Sequence, residues 1–202
     1  ERMFKKNSRI ITTSPLKGTI ALGNNSFEKA RNLNRLLQSE KDKAELLMIV
    51  DLERNDLGKI AKTGTVKVDR LLKPEMYSSL IHLVSDISAE LKPDIEMNDI
   101  LRALLPGGSI TGAPKKRAVE IINRMENQPR TVYTGCIGYI YENDADFNIA
   151  IRTIIHKDST YFIHAGSGIV ADSDPETEYA EMLLKAKNMF KSLGVEQCST
   201  KK

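Results

Sequence analysis

Tryptophan is absent from this chain, and aromatic residues make up 5% of it. With so few rings there is no stacking platform for bases. Lysines and arginines alternate with acids instead of gathering into a basic stripe, so nucleic acid is not the expected partner. The formal net charge, +3, is small for 202 residues. Long apolar runs are lacking as well: the cleanest, Leu46 to Val50, is far too short to span a membrane. Cysteine is scarce. Cys136 and Cys198 lie far apart in a chain with no secretory signal, which argues against a disulfide scaffold and for a reducing, cytoplasmic setting. No internal repeat or low-complexity linker is visible.

A chain of this length can bury one substantial core, or form a large part of a bigger one. Residue 1 is Glu, and nothing before Ile10 resembles a natural N-terminal element. A piece of a longer protein is therefore expected. Ile10 to Thr13 and Thr19 to Leu22 read as short strands around a Pro15-Leu16-Lys17-Gly18 turn. Asn25 with Glu28 forms a capping-box pattern ahead of a Leu33, Leu36, Leu37 helix stripe. A second helix is expected from about Lys41 to Asn55, burying Leu46, Leu47, Ile49, Val50 and Leu52 and stopped by Gly58. Thr65 to Leu72 and Ile81 to Leu91 alternate as strands. Asn98 is expected to cap a short helix through Leu104, and Pro114 to open another. Gly135 to Tyr141, Phe147 to His156 and Thr160 to Ala165 suit an antiparallel meander. Asp174 and Pro175 open a last helix to about Leu193. Strands interleaved with helices predict an α+β fold with antiparallel sheets and flanking helices.

The most informative stretch runs from Pro106 to Lys115, a glycine-rich turn with two hydroxyls that leads into a helix. Backbone N–H groups there, with Ser109, Thr111 and Lys115, would cradle an anion. The spacing is not that of a Walker A loop, so a carboxylate fits as readily as a phosphate, and an ordinary helix entry reads equally well. Glu178, Glu181 and Lys185 share a helix face at i, i+3 and i+7. A solvated face with a Glu181–Lys185 pair accounts for them too. Glu45 adjoins Leu46, Leu47 and Met48, so it sits at a helix edge or beside a cation. Carboxylates from two helices together with a substrate carboxylate would suit Mg²⁺. Asp51, Arg54 and Asp56 read as structural ion pairs. His82 begins an alternating strand and Arg152 falls within an apolar one, where its guanidinium needs an acid or a carboxylate ligand. Gly166 and Gly168 permit close backbone approach, or a tight turn. Lys17, between Leu16 and Gly18, is either a surface lysine or a desolvated amine nucleophile.

Taken in order, four segments resemble the chorismate-binding enzymes. They are Pro15 to Thr19, Met48 to Gly58, Gly107 to Lys115, and Gly168-Ile169-Val170-Ala171-Asp172-Ser173. That family includes the anthranilate, aminodeoxychorismate, isochorismate and salicylate synthases, and the resemblance covers essentially the whole chain. It implies two packed antiparallel sheets with flanking helices, in a chain about twice as long, of which this is the C-terminal portion. Lys17 resembles the branch that aminates chorismate at C4 in para-aminobenzoate and folate synthesis, where other members usually carry alanine. In that branch the lysine adds to C2 as the C4 hydroxyl leaves, and ammonia from a glutamine amidotransferase subunit then enters at C4 and expels it.

By the same resemblance, Glu1 inherits the role of general acid/base from a Ser-Pro-Glu-Arg-Phe motif, and His82 matches a histidine near the C4 hydroxyl. Glu45 and Glu181 match magnesium ligands, with Glu178 beside the metal and Lys185 in support. Lys115, Tyr133, Arg152, Gly166 and Gly168 match groups that hold the substrate carboxylates, with Thr111 in the same loop. Ser14, where arginine is common, and Leu46, where a polar residue is usual, depart from the family pattern. Two other readings stay open: amination at C2 with loss of pyruvate, as in anthranilate synthases, and a non-catalytic carboxylate-binding fragment.

Overall fold

Leu80–Glu90 (β5) is the strand on which most of the chain is organised. Its residues 81 to 85 are buried without interruption, as expected of a strand covered on both faces. The computed structural model describes residues 1–171 and 173–195; Asp172 of the fourth motif and Cys198 lie outside the described residues. It divides into two compact units, one of residues Glu1–Asn127 and Cys136–Ile149, the other of Gln128–Gly135 and the chain from Ala150 onward.

The first unit is a seven-stranded sheet with four helices. Lys67–Met76 (β4) pairs with one edge of β5. Ile10–Ser14 (β2) and Leu16–Ala21 (β3) follow one another along the other edge, where Thr13 faces Ile87 and Leu16 faces Val84. The expected turn at Pro15–Gly18 is therefore a strand. Pro15 has no N–H to give, but its carbonyl accepts from Ser85 N–H at 3.1 Å, which keeps the chain on β5. The stretch before Ile10, in which no natural N-terminal element was recognisable, forms Arg2–Asn7 (β1). This strand pairs with β2 and with Asp144–Ile149 (β7), which closes a hairpin with Cys136–Tyr141 (β6). Every pairing is antiparallel.

Ser26–Gln38 (α1) starts at Asn25, whose side chain accepts from Glu28 N–H at 2.9 Å; the reciprocal bond goes to Asn24 N–H instead of Asn25. Glu40–Ile60 (α2) continues well past Asn55 and through Gly58, because its buried stripe carries on to Leu57 and Ile60. Leu46, Ile49 and Val50 are buried as expected, but Leu47 is exposed, one position off the stripe. Each fully buried residue of that stripe contributes about 1.5–3 kcal/mol. Met97–Leu104 (α3) is capped at Glu96, not Asn98, since Asp99 Oδ2 accepts from Glu96 N–H. Pro114 is the cap of Lys115–Met125 (α4) and not its first residue.

The second unit holds a separate hairpin, Ile154–Lys157 (β8) with Thr160–Ile163 (β9), and the helix Pro175–Ser192 (α5). The three-stranded meander does not form. The single strand expected from Phe147 to His156 breaks at 150–153, where Ala150 bonds both Thr134 and Gly135 and Arg152 takes φ +51°. Among the described residues no helix is long and apolar enough to cross a membrane.

Candidate active site

In the sheet unit, Lys17 lies on β3 opposite Leu83 of β5. Gly18 beside it takes φ +62°, and a Cβ there would meet Leu36 Cδ1 at 2.8 Å and Asp42 Cγ at 3.0 Å. Only glycine allows that approach, so the helices behind the strand fix the course of the backbone at Lys17. Lys17 Nζ reaches the carbonyl oxygen of Ser109 at 3.4 Å. Ser109 belongs to a 3-10 turn, Gly108–Ile110, pressed against α2: a Cβ on Gly108 would lie 2.6 Å from Leu52 Cδ2. Thr111, expected to face a ligand, donates its hydroxyl to the Gly107 carbonyl at 2.8 Å and so closes the turn. His82 is buried at 6% exposure, with Nδ1 3.0 Å from Thr19 Oγ1 and 3.3 Å from the Gly18 carbonyl oxygen. The Tyr77 ring meets it edge to face, with centroids 5.5 Å apart.

Behind Lys17 is a set of buried acids. Burial pushes the Glu1 carboxyl above its usual range, opposed by the Ser109 hydroxyl and the Lys17 charge. Burial likewise pushes Glu53 of α2 up to about 8, with the charges of Glu1 and Asp56 adding to the effect and Thr13 and Lys115 opposing it. Glu1 Oε1, Thr13 Oγ1, Glu53 Oε2 and Ser109 Oγ are buried with no hydrogen-bond partner: Thr13 and Ser109 come near the two carboxyls without reaching bonding geometry. Each such atom costs about 1–3 kcal/mol, a penalty that folds seldom retain except where function needs it. Perturbed acids gather at functional sites for the same reason. Asp56, 2% exposed, pairs with Lys59 at 2.7 Å and with Lys115. The Lys115 ammonium, expected to face a substrate carboxylate, is thus held by Asp56. Asp51 and Arg54 form their expected ion pair at 3.0 Å.

Sequence reasoning gave Glu53 no role of its own. The signal was present: the buried stripe 46, 49, 50, 56, 57, 60 of α2 carries an acid at Asp56, and Glu53, half-buried, lies on the same face one turn earlier.

The helix unit assembles a second group. Tyr133 stacks on His164 with centroids 5.3 Å apart, and its hydroxyl comes so close to Gly166 that an added Cβ would meet it at 3.0 Å. Lys185 Nζ bonds the Gly166 carbonyl at 3.3 Å and Glu181 at 2.6 Å. Glu178, expected on a solvated face, is buried and accepts from Ser173 Oγ at 2.8 Å. Gly168 is open on its Cα face. Arg152, expected in an apolar strand facing a core, is exposed on the 150–153 break.

Glu178 and Glu181 present oxygen donors one helical turn apart, a donor set that suits a hard cation. Among the described residues no three His, Cys, Asp or Glu form a closed metal cage, but Mg²⁺ needs only one or two carboxylates besides water and substrate oxygens. Glu45, in the sheet unit, is half-buried on α2 and lies 3.9 Å from Lys41.

The antiparallel sheet backed by helices is similar to the fold of anthranilate and isochorismate synthases. The structure matches anthranilate synthase component I from Streptococcus pneumoniae TIGR4 with a TM-score of 0.84 and 39% identity, over 94% of this chain and 42% of that one. The family model for chorismate binding enzymes matches residues 1–191, and the chain belongs to that family. It is 45% identical to anthranilate synthase component 1 of Aquifex aeolicus over 92% of this chain and 38% of the relative. It is 41% identical to aminodeoxychorismate synthase component 1 of Bacillus subtilis over 100% of this chain and 43% of the relative. The chain thus spans less than half the length of these relatives.

Proposed function

We propose that the chain is the C-terminal portion of the catalytic domain of an aminodeoxychorismate synthase component I. It works in the cytoplasm with ammonia from a glutamine amidotransferase subunit, and converts chorismate to 4-amino-4-deoxychorismate. The observation that carries this reading is the position of Lys17 beside a buried acid. Its amine lies 3.4 Å from the Ser109 carbonyl, and its charge is among the influences felt by the Glu1 carboxyl. Relatives of both amination types match at similar identity, so the choice of branch rests on the resemblance that Lys17 carries.

In this mechanism the neutral Lys17 amine forms a bond to chorismate C2, the ring double bond shifts, and the C4–O bond breaks. Glu1, whose carboxyl burial pushes up, gives its proton to the departing oxygen, which leaves as water. His82, anchored by Thr19 and Gly18, orients that oxygen. Ammonia then bonds C4, the shift reverses, and Lys17 leaves C2 as the neutral amine, its nitrogen taking the proton that the new C4 ammonium gives up. Tyr133, Arg152, Gly166 and Gly168 serve carboxylate binding in the helix unit, with Lys185 holding the Gly166 loop. Glu45, Glu178 and Glu181 would hold Mg²⁺, which when bound neutralises a substrate carboxylate.

The test is intact-protein mass spectrometry of the natural protein with chorismate and no ammonia. A chorismate-derived adduct is expected on Lys17. Lys17→Ala loses the adduct and slows amination at least about a thousandfold, the scale of an absent nucleophile. Lys17→Arg fails too, because guanidinium stays protonated. Release of pyruvate with formation of anthranilate, or full C4 amination by Lys17→Ala, would sink the assignment.

A further inference from the structure

Asp56, 2% exposed, is the most buried acid among the described residues, and the reaction scheme gives it no part. Both of its carboxylate oxygens are engaged. Oδ1 accepts from Lys59 at 2.7 Å, and Oδ2 accepts from Lys115, the first residue of α4. The Lys59 pair is local to α2, whereas the Lys115 pair joins that helix to the end of the Gly107–Lys115 loop. A buried ion pair can often be replaced by apolar residues of the same volume without loss of stability, so folding alone does not call for this one. The same turn of α2 meets the start of the loop through Leu52, four residues before Asp56: a Cβ on Gly108 would lie 2.6 Å from Leu52 Cδ2. That contact limits how near the loop can come, and the ion pair limits how far it can leave. Inside the loop the backbone bonds are long, 3.4 Å from Ile110 N to the Gly107 carbonyl oxygen and 3.3 Å from Thr111 N to that of Gly108. Gly112, between Ser109 and Lys115, takes φ +134°, which side chains other than glycine's hydrogen rarely allow. Ser109 lies between the two anchors. Its carbonyl accepts from Lys17 Nζ at 3.4 Å, a length at which little further displacement breaks the bond.

We propose that Asp56 is a positioning residue for the amine of Lys17. By holding Lys115 it keeps the end of the loop on α2, and with it the Ser109 carbonyl in the place from which it sets the direction of the Lys17 side chain. Lys115 is then a tether and not a ligand of the substrate. The proposal rests on the reading of Lys17 as the nucleophile of C4 amination, for which a reacting atom about 1 Å out of place costs roughly a hundredfold in rate.

The experiment uses the natural protein and three measurements. Lys115→Met cuts the tether while Asp56 keeps Lys59, so no buried acid is stranded. Hydrogen exchange without chorismate should quicken about tenfold at the Ile110 and Thr111 amides and stay at the wild-type rate at Ile49 and Val50 in the core of α2. Labelling of Lys17 by trinitrobenzenesulfonate at fixed pH, mapped by peptide mass spectrometry, should quicken severalfold, because the side chain is no longer held against the turn. The kcat of amination should fall at least about tenfold, with KM for chorismate unchanged. Lys115→Arg, which keeps a cation for Asp56, should recover most of the change in all three. Asp56→Asn should behave as Lys115→Met does; if it does not fold, the two Lys115 variants decide the matter. A raised KM with kcat unchanged makes Lys115 a substrate ligand and overturns the proposal. Exchange, labelling or kcat that stays at the wild-type value in Lys115→Met overturns it too. Faster exchange and labelling in that variant, with no amination of chorismate by the wild type, leaves the tether standing and removes the reading of function.

Discussion

The two units treat their acids in opposite ways. In the sheet unit, Glu1 and Glu53 are half-buried, each keeps one buried oxygen without a hydrogen-bond partner, and the groups that act on them come from other segments. In the helix unit, Glu178 and Glu181 are satisfied by neighbours within a few residues: Ser173 at the entry to α5 and Lys185 one turn on. The first arrangement is costly and is held by the rest of the fold. The second forms almost for free wherever the helix forms. Unsatisfied polar groups mark the place where protons are expected to move, while local pairs hold charge in place, whether buried as at Glu178 or exposed as at Glu181.

Removing the anchor of the buried set should have the largest effect on stability. Asp56→Ala leaves the Lys115 ammonium without its partner, at a cost of about 3–5 kcal/mol in chemical denaturation. A loss below about 1 kcal/mol would put Asp56 in the class of surface pairs and erase the contrast between the units. Next comes a pH effect. Glu53 is raised from 4.5 to about 8 in the folded chain, so between those values the fold binds more protons than the unfolded chain. The stability it contributes is complete below about 4.5 and is lost as pH rises toward 8, by up to about 1.4 kcal/mol per unit. Glu1, also raised, acts in the same direction. Glu53→Gln should flatten the decline measured by denaturation at successive pH values, and a variant curve parallel to the wild type would refute the shift. The smallest effect belongs to the helix unit. Lys185→Ala breaks the 2.6 Å pair with Glu181, whose side chain is 47% exposed, and should cost less than about 1 kcal/mol.

The same contrast governs what the sequence could disclose. The Glu181–Lys185 pair, the Asp51–Arg54 pair and the Asn25 cap are local, and spacing alone announces them. The α+β class and most elements were legible through periodicity. What failed were features decided by distant contacts. Pro15 looked like a turn residue, yet β5 holds it in an extended run. Gly58 looked like a helix stop, but burial of Leu57 and Ile60 carries α2 past it. Phe147 to His156 looked like one strand, and the bonds of Ala150 to Thr134 and Gly135 break it. Glu53 passed unnoticed because its meaning depends on Thr13 and Glu1, which come to α2 from the strands and chain start before α1.

Gly18 carries a consequence for inheritance. Because it has no side chain, Leu36 at the end of α1 and Asp42 at the start of α2 press directly on the backbone next to Lys17. Any mutation that enlarges either residue, or shifts the joint between the two helices, is transmitted to the reactive amine as surely as a change in the strand itself. Natural variation at that joint is thus filtered by the same selection that preserves the lysine, although neither residue ever meets the substrate.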